Sequence, residues 1–177
     1  MKKIGTLRKE KERGNQMFLV GVIADKKTQK MLQQHNSQVE MISVRPETMK
    51  NMRNVMFDTI IIDEEIENME DLEPYLQKTE YIVLNTDRKH SIPRIQNEKA
   101  SLITYGFNSK STITASSIME EKILICLQRN VKSKHGDSIE PQEFWVEANP
   151  GADVYEMMAK TCMDMIYGKQ KNRKNEK

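Results

Sequence analysis

Three carboxylates that directly follow apolar runs are the first candidates for chemistry. Asp25, Asp63 and Asp87 each come after a stretch with the length and composition of a buried strand. Open α/β sheets bind ligands outside the carboxyl ends of their strands, where such side chains can converge on a cation or a substrate hydroxyl. Aspartate is also a common turn former and helix cap at strand-to-helix junctions. The pattern indicates either a ligand site or a set of structural caps.

The histidines and cysteines favour neither a metal site nor thiol catalysis. His35, His90 and His135 lie in polar or turn segments, and no two have the spacing of metal ligands on a helix. We therefore expect exposed side chains. Cys126 and Cys162 lie inside apolar segments, which predicts reduced core thiols rather than a disulfide framework. Burial would raise the pKa of such a thiol and make it a poor nucleophile.

The elements that would position the three carboxylates alternate between strands and short helices. Apolar runs of strand length predict strands at 18–25, 38–44, 57–63, 81–87 and 100–107. Helices are predicted at 26–35 and 68–77, and Pro46 marks either the end of a strand or the first turn of a helix. Right-handed βαβ units of this kind predict an α/β fold with an open, mostly parallel, Rossmann-like sheet and flanking helices.

The pattern changes after residue 107. Segments 111–118, 122–131 and 143–148 alternate in the manner of half-buried strands, and they predict a small antiparallel sheet near the C-terminus. An amphipathic helix is predicted to follow, with Asp153 as its cap and Gly168 as its end.

Length, composition and charge predict one main domain between two basic ends. The chain has 177 residues, of which 37% are hydrophobic and 31% charged. Residues 1–13 and 169–177 each carry a net charge of +4, so residues 14–168 carry −6 of the overall +2. We expect a flexible basic head (1–16), a single domain (17–168) and a flexible basic tail (169–177). Without an aromatic-rich basic face, a signal peptide or a long apolar segment, we expect neither nucleic-acid nor membrane binding, and a cytoplasmic location.

The order of elements and several local sequences resemble the central ATP-binding domain of the Mur ligase family, which includes the folylpolyglutamate synthases. The resemblance covers residues 18 to 168 and is most specific in its second half. Lys27 and Thr28 match the Lys-Thr of the family's phosphate loop. The run ending in Asn85 and Asp87 is similar to a late strand of the family, and segment 103–107 is similar to the strand that follows it. The resemblance implies an ATP and magnesium site that includes Lys27, Thr28, Asn85 and Asp87.

The departures from that family pattern lead us to expect a binding domain without ligase activity. Phosphate loops need glycines so that successive N–H groups can converge on phosphate oxygens, and residues 22–30 contain none. Asp153 and Glu156 stand where the family has asparagines, and their charges would repel ATP. The chain has no room for the family's two other domains. We therefore expect no cofactor, an unknown small molecule or protein as partner, and a setting in bacterial peptidoglycan-precursor metabolism.

Three alternatives remain open at this stage. The protein could be a nucleotide-binding or ligase-like protein whose reduced phosphate loop is completed by another subunit, with ATP and Mg²⁺ as cofactors. It could be an interaction module that presents the methionine-rich terminal helix or an edge strand to a partner, since thioethers build adaptable surfaces as well as filling core gaps. It could also be a receiver-like domain, because segment 57–63 resembles a phosphoacceptor strand. The sequence leaves the oligomeric state open.

Overall fold

The computed structural model describes residues 17–33, 38–52, 54–68, 70–89 and 97–168. The predicted basic head and tail lie outside these residues. The strands are β1 (Phe18–Ile23), β2 (Val39–Ser43), β3 (Thr59–Ile62), β4 (Tyr81–Asn85), β5 (Ser101–Tyr105), β6 (Ile113–Ile118), β7 (Lys122–Leu127), β8 (Val131–Lys132), β9 (Ser138–Ile139) and β10 (Gln142–Glu147). The helices are α1 (Lys26–Gln33), α2 (Pro46–Met49), α3 (Glu73–Leu76) and α4 (Val154–Tyr167).

One mostly parallel sheet organises the fold, as the sequence predicted. Its order is β10-β7-β6-β5-β4-β3-β1-β2. Strands β1 to β6 run parallel to one another, and β7 lies antiparallel between β6 and β10. The strands β3 and β4 are buried along their whole length, because they are mostly apolar on both faces and helices cover both sides. The architecture is therefore doubly wound and Rossmann-like.

The helices are distributed over the two faces of the sheet. Helices α1 and α4 pack on one face, which we call face A, where Leu32 and Met158 belong to the same core cluster as Val83 and Ile103. Helices α2 and α3 pack on the opposite face, face B, where Met49 and Leu76 belong to a second core cluster. Since β2 and β3 flank β1 on opposite sides, the order of the strands reverses between β1 and β3. Such a switch point is where open α/β sheets form their ligand crevices.

Two predictions about elements require correction. The helix predicted at 68–77 is limited to α3, because Asn68 accepts a hydrogen bond from the Glu70 amide in a turn and Pro74 is tolerated only in a first helical turn. The small antiparallel sheet near the C-terminus exists, but it consists of β8 and β9. The segments predicted to form it, β6, β7 and β10, instead extend the main sheet.

The terminal helix agrees closely with its prediction. Asp153 caps α4 in a complete capping box with Glu156, and the helix ends at Gly168. The methionines of this helix are buried in the core on face A, so they fill core space instead of forming a surface: Met157, Met158, Met163 and Met165.

Candidate functional site

A buried polar cluster lies at the carboxyl end of the central strands. Asn85 and Tyr105 are paired across β4 and β5, and Asp63 follows β3 at the corresponding position. The Asp63 Oδ1 atom accepts hydrogen bonds from Asn85 Nδ2 and from the Tyr105 hydroxyl, both at 2.6 Å. The register of three adjacent parallel strands therefore brings these three polar side chains together on face A.

Burial determines the electrostatics of this cluster. Desolvation raises the pKa of the Asp63 carboxyl, while the hydrogen bonds from Tyr105 and Asn85 oppose that rise. Burial also raises the pKa of the Tyr105 phenol well above its usual value. Asp63 thus accepts from two neutral donors in a buried site. Because the carboxylate is buried and both donors are directed at one oxygen, this environment disfavours the receiver-like interpretation, which needs an accessible acceptor.

The first turn of α1 holds the two residues predicted from the phosphate-loop resemblance. Asp25 Oδ1 accepts a hydrogen bond of 2.7 Å from the Thr28 amide, and this bond lowers the pKa of the Asp25 carboxyl. Thr28 itself is buried. A bound anion at this helix N-terminus would need the Thr28 amide as a donor, but that amide already donates to the Asp25 carboxylate.

Lys27 is paired with the buried Glu156 of α4. Its Nζ atom donates to Glu156 Oε2 at 2.9 Å, and the same oxygen accepts from the Asp153 amide at 2.6 Å. The Glu156 side chain is 2% exposed, whereas that of Lys27 is 58% exposed. The hydrogen bond to Glu156 raises the pKa of the Lys27 ammonium. The other carboxylate oxygen, Glu156 Oε1, has no hydrogen-bond partner among the described residues.

Asp87 organises the turn after β5. Its Oδ2 atom accepts from the Phe107 amide at 2.7 Å and from the Tyr155 hydroxyl at 3.1 Å. Gly106 makes this approach possible, because its φ is +148° and a Cβ atom there would lie 2.8 Å from Asp87 Cγ. The Tyr155 ring also contacts the Arg88 guanidinium, 5.5 Å from the ring centroid.

A wide cleft of about 850 Å³ opens at the switch point between β1 and β3. The loops that follow β1, β2 and β3 form its walls. Two cations, Lys26 and Arg45, face six carboxylates in the lining: Asp25, Glu47, Glu64, Glu65, Glu67 and Asp71. The excess of negative charge favours polar ligands with amino groups over phosphates.

The four residues predicted from the resemblance fall into two pairs that α4 connects. Lys27 and Thr28 lie on α1, and Lys27 reaches Glu156. Asn85 Oδ1 accepts a hydrogen bond of 3.0 Å from the Asp87 amide, and Asp87 reaches Tyr155. Sequence reasoning did not single out Tyr105 as a site residue. The signal was available, since Tyr105 ends its strand at the register position of Asn85.

Among the residues that the structure describes, the remaining histidine and cysteine candidates form no cluster of reactive side chains. His135 is exposed, and His35 and His90 lie outside the described residues. Cys162 is buried and Cys126 half-buried, and burial raises the pKa of both thiols. Within the described ranges, no group of three or more histidine, cysteine or acidic side chains is placed to hold a metal ion. In the same part of the chain, no helix has the length and apolar character needed to cross a membrane.

Comparison of the chain with protein-family models and with curated proteins finds no match.

Proposed function

We propose that this protein is a non-catalytic binding domain, a shortened relative of the Mur ligase central domain that has lost ATP-dependent ligation. The observation that carries the proposal is the pairing of Lys27 with the buried carboxylate of Glu156. In a phosphate loop the lysine is directed at the nucleotide. Here that lysine already has an internal counter-anion, supplied by a helix 129 residues further along the chain.

The surroundings of Lys27 support the loss of nucleotide binding. The Asp25 carboxylate accepts from the Thr28 amide, and no glycine between residues 22 and 30 allows an anion nest. A phosphate near Lys27 would also approach Asp153 and Glu156, whose charges would repel it. These residues do not fit ATP and magnesium.

The large cleft at the switch point supports a binding role. Its lining is mostly acidic and polar, which suits a ligand that carries amino or hydroxyl groups. The family resemblance makes bacterial peptidoglycan-precursor metabolism the setting in which to search for that ligand. The alternative of a nucleotide-binding protein completed by another subunit predicts the opposite behaviour towards ATP.

Thermal unfolding and titration calorimetry with Mg-ATP test the proposal. A ligand present at a hundred times its dissociation constant adds about 2.7 kcal/mol to the free energy of unfolding. We expect no shift for the unaltered protein at millimolar Mg-ATP, and no ATP hydrolysis. A dissociation constant below about a millimolar that is lost in Lys27→Ala would overturn the proposal, since a value in that range corresponds to productive binding at cellular ATP.

The variant Glu156→Gln tests the observation that carries the proposal. Glutamine preserves the capping-box geometry at this helix position but removes the internal counter-anion of Lys27. We expect Glu156→Gln to gain weak binding of inorganic tripolyphosphate, measured by calorimetry, and the double variant with Lys27→Ala to lose it again. If Glu156→Gln folds normally and binds no anion, the internal carboxylate is not what prevents binding.

A further inference from the structure

Strand β10 is an open edge of the main sheet. Among the described strands it pairs with β7 alone, in an unbroken antiparallel register from Gln142↔Leu127 to Glu147↔Lys122. An edge strand presents a row of unpaired backbone N–H and C=O groups, which is a template for another extended chain. The six residues of β10 contain neither a proline nor a bulge that would prevent such pairing.

The ladder with β7 shows which backbone groups of β10 face outward. The Ala148 amide donates to the Glu121 carbonyl at 2.9 Å, so this pair is a hydrogen-bonded one. Hydrogen-bonded and non-hydrogen-bonded pairs alternate along an antiparallel ladder. Residues 142, 144 and 146 therefore bond to β7. The N–H and C=O groups of Glu143, Trp145 and Glu147 are directed away from it, towards the open side.

The same three residues line one face of the strand. The Glu143, Trp145 and Glu147 side chains are on face B and are exposed, with Trp145 at 44%. Lys122 of β7 lies over the Trp145 ring, 4.5 Å from its centroid. In the described part of the chain, neither Glu143 nor Glu147 forms an ion pair.

Two apolar residues lie on the opposite face of β10. Phe144 and Val146 are half-buried and pack against the core cluster on face A. If another strand were added beside β10, those of its side chains that lie on face A of the sheet would extend this apolar surface. On face B its side chains would meet an aromatic ring between two carboxylates.

We propose that β10 is the docking strand for an extended segment of a partner protein, five residues long, with basic side chains at its first and fifth positions and apolar side chains between them. Main-chain hydrogen bonds to Glu143, Trp145 and Glu147 supply affinity, as in other cases of strand addition. The basic side chains lie opposite Glu143 and Glu147. The central apolar side chain covers the Trp145 ring, and aromatic residues of this kind anchor interfaces. This interaction is independent of the proposed loss of ATP binding.

Charge disfavours a second copy of the chain as the occupant. A symmetric antiparallel pairing of two β10 strands centred on Trp145 would place Glu143 opposite Glu147 of the other copy, twice. Like charges directly opposite each other destabilise a sheet. A basic partner strand converts both repulsive pairs into attractive ones.

The only tryptophan of the chain gives a direct readout of docking. The probes are two capped synthetic peptides, Gly-Lys-Val-Leu-Val-Lys-Gly and its counterpart with glutamates in place of the lysines. We expect the basic peptide to shift Trp145 emission to the blue in a saturable manner, and the acidic peptide to have no effect. Raising the salt concentration should weaken docking, because exposed charges are screened.

Three variants test the geometry. The double variant E143K/E147K should bind the basic peptide about tenfold more weakly, or weaker still, and should bind the acidic peptide instead. Glu147→Pro removes an outward N–H while leaving the β7 ladder intact, so it should abolish docking without unfolding the protein. Glu40→Lys on β2, the opposite edge of the sheet, is the matched control and should leave docking unchanged.

Four results would overturn the proposal. The first is no response to the basic peptide at millimolar concentration, and the second is docking that survives both E143K/E147K and Glu147→Pro. The third is a dimer in sedimentation that Glu147→Pro dissociates, which would assign the edge to a second copy. The fourth is a change of Trp145 emission on removal of residues 1–16, which would assign the edge at β10 to the chain's own basic head.

Discussion

Asp63 shows how a single buried carboxylate is accommodated without a cation in direct contact. Its Oδ1 atom accepts from Asn85 and Tyr105, both neutral donors. Burial of a charge costs free energy unless partners compensate it, and neutral hydrogen bonds compensate only part of that cost. The raised pKa of Asp63 expresses the remainder. Ionisation of Asp63 therefore opposes folding.

The variant Asp63→Asn should change how stability depends on pH. An acid whose pKa is raised by folding binds its proton more tightly in the folded state, so stability falls as pH rises through the raised pKa. The window begins near the ordinary aspartate value of about 3.9 and extends upward. Asparagine keeps an acceptor oxygen and cannot ionise. Urea unfolding at several pH values should therefore show that the free energy of unfolding of the variant increases relative to that of the unaltered protein as pH increases.

Asp71→Asn at an exposed position controls for the loss of one negative charge. A difference in unfolding free energy between Asp63→Asn and the unaltered protein that is the same at every pH would contradict the assigned role of Asp63.

At the scale of elements, local sequence patterns predicted the central parallel strands well. They predicted poorly which strands β6, β7 and β10 pair with. Apolar runs located β1, β3 and β4, because burial on both faces leaves a continuous local signal. The strand β5 was also located, although only its face A is buried. The choice of neighbours for β6, β7 and β10 depends on tertiary pairing, which no local period encodes. Pro74 shortened α3, although the surrounding residues suit a helix.

For the candidate site, too, the sequence predicted the positions of residues along strands but not their contacts. The three strand-end aspartates were correctly predicted to lie at the carboxyl edge, but each accepts hydrogen bonds from different groups. Asp25 caps α1, Asp63 accepts from Asn85 and Tyr105, and Asp87 holds the turn after β5. These contacts depend on the register between strands and on the position of α4, so the sequence could not distinguish a shared site from separate structural roles.

The capping box of α4 allows a test at the level of a helix. Asp153→Ala removes the side chain that accepts from the Glu156 amide, which should cost about 1 kcal/mol. For a domain of this size, that loss corresponds to a fall in melting temperature of about 2–4 °C. Asp153→Asn keeps a capping oxygen and should lose much less. If both variants lose the same stability, the charge of Asp153 matters and the cap does not.

At the scale of the whole molecule, charged substitutions at adjacent residues of β5 should have opposite effects on folding, because the two side chains lie on different faces of the sheet. Ile103 is buried on face A, whereas Leu102 is 49% exposed on face B. Ile103→Asp should bury an unpaired carboxylate at a cost of several kcal/mol and unfold the protein. Leu102→Asp is the matched control and should remain folded. Far-ultraviolet circular dichroism and gel filtration distinguish the two outcomes.

If Ile103→Asp folds normally, the assignment of β5 to the centre of the sheet is wrong. The resemblance to the Mur ligase central domain would then lose its most specific segment.

The position of α4 in the chain has a consequence for synthesis. This helix is the last of the described elements to be translated, yet it covers face A, where Val83, Ile103 and Tyr105 are buried. A nascent chain can form its early βαβ units but leaves that apolar face open until α4 has emerged from the ribosome. Such intermediates expose apolar surface and aggregate readily. Messages truncated before the codon for Val154 should therefore yield insoluble protein, and the nascent chain should need chaperone protection until α4 docks.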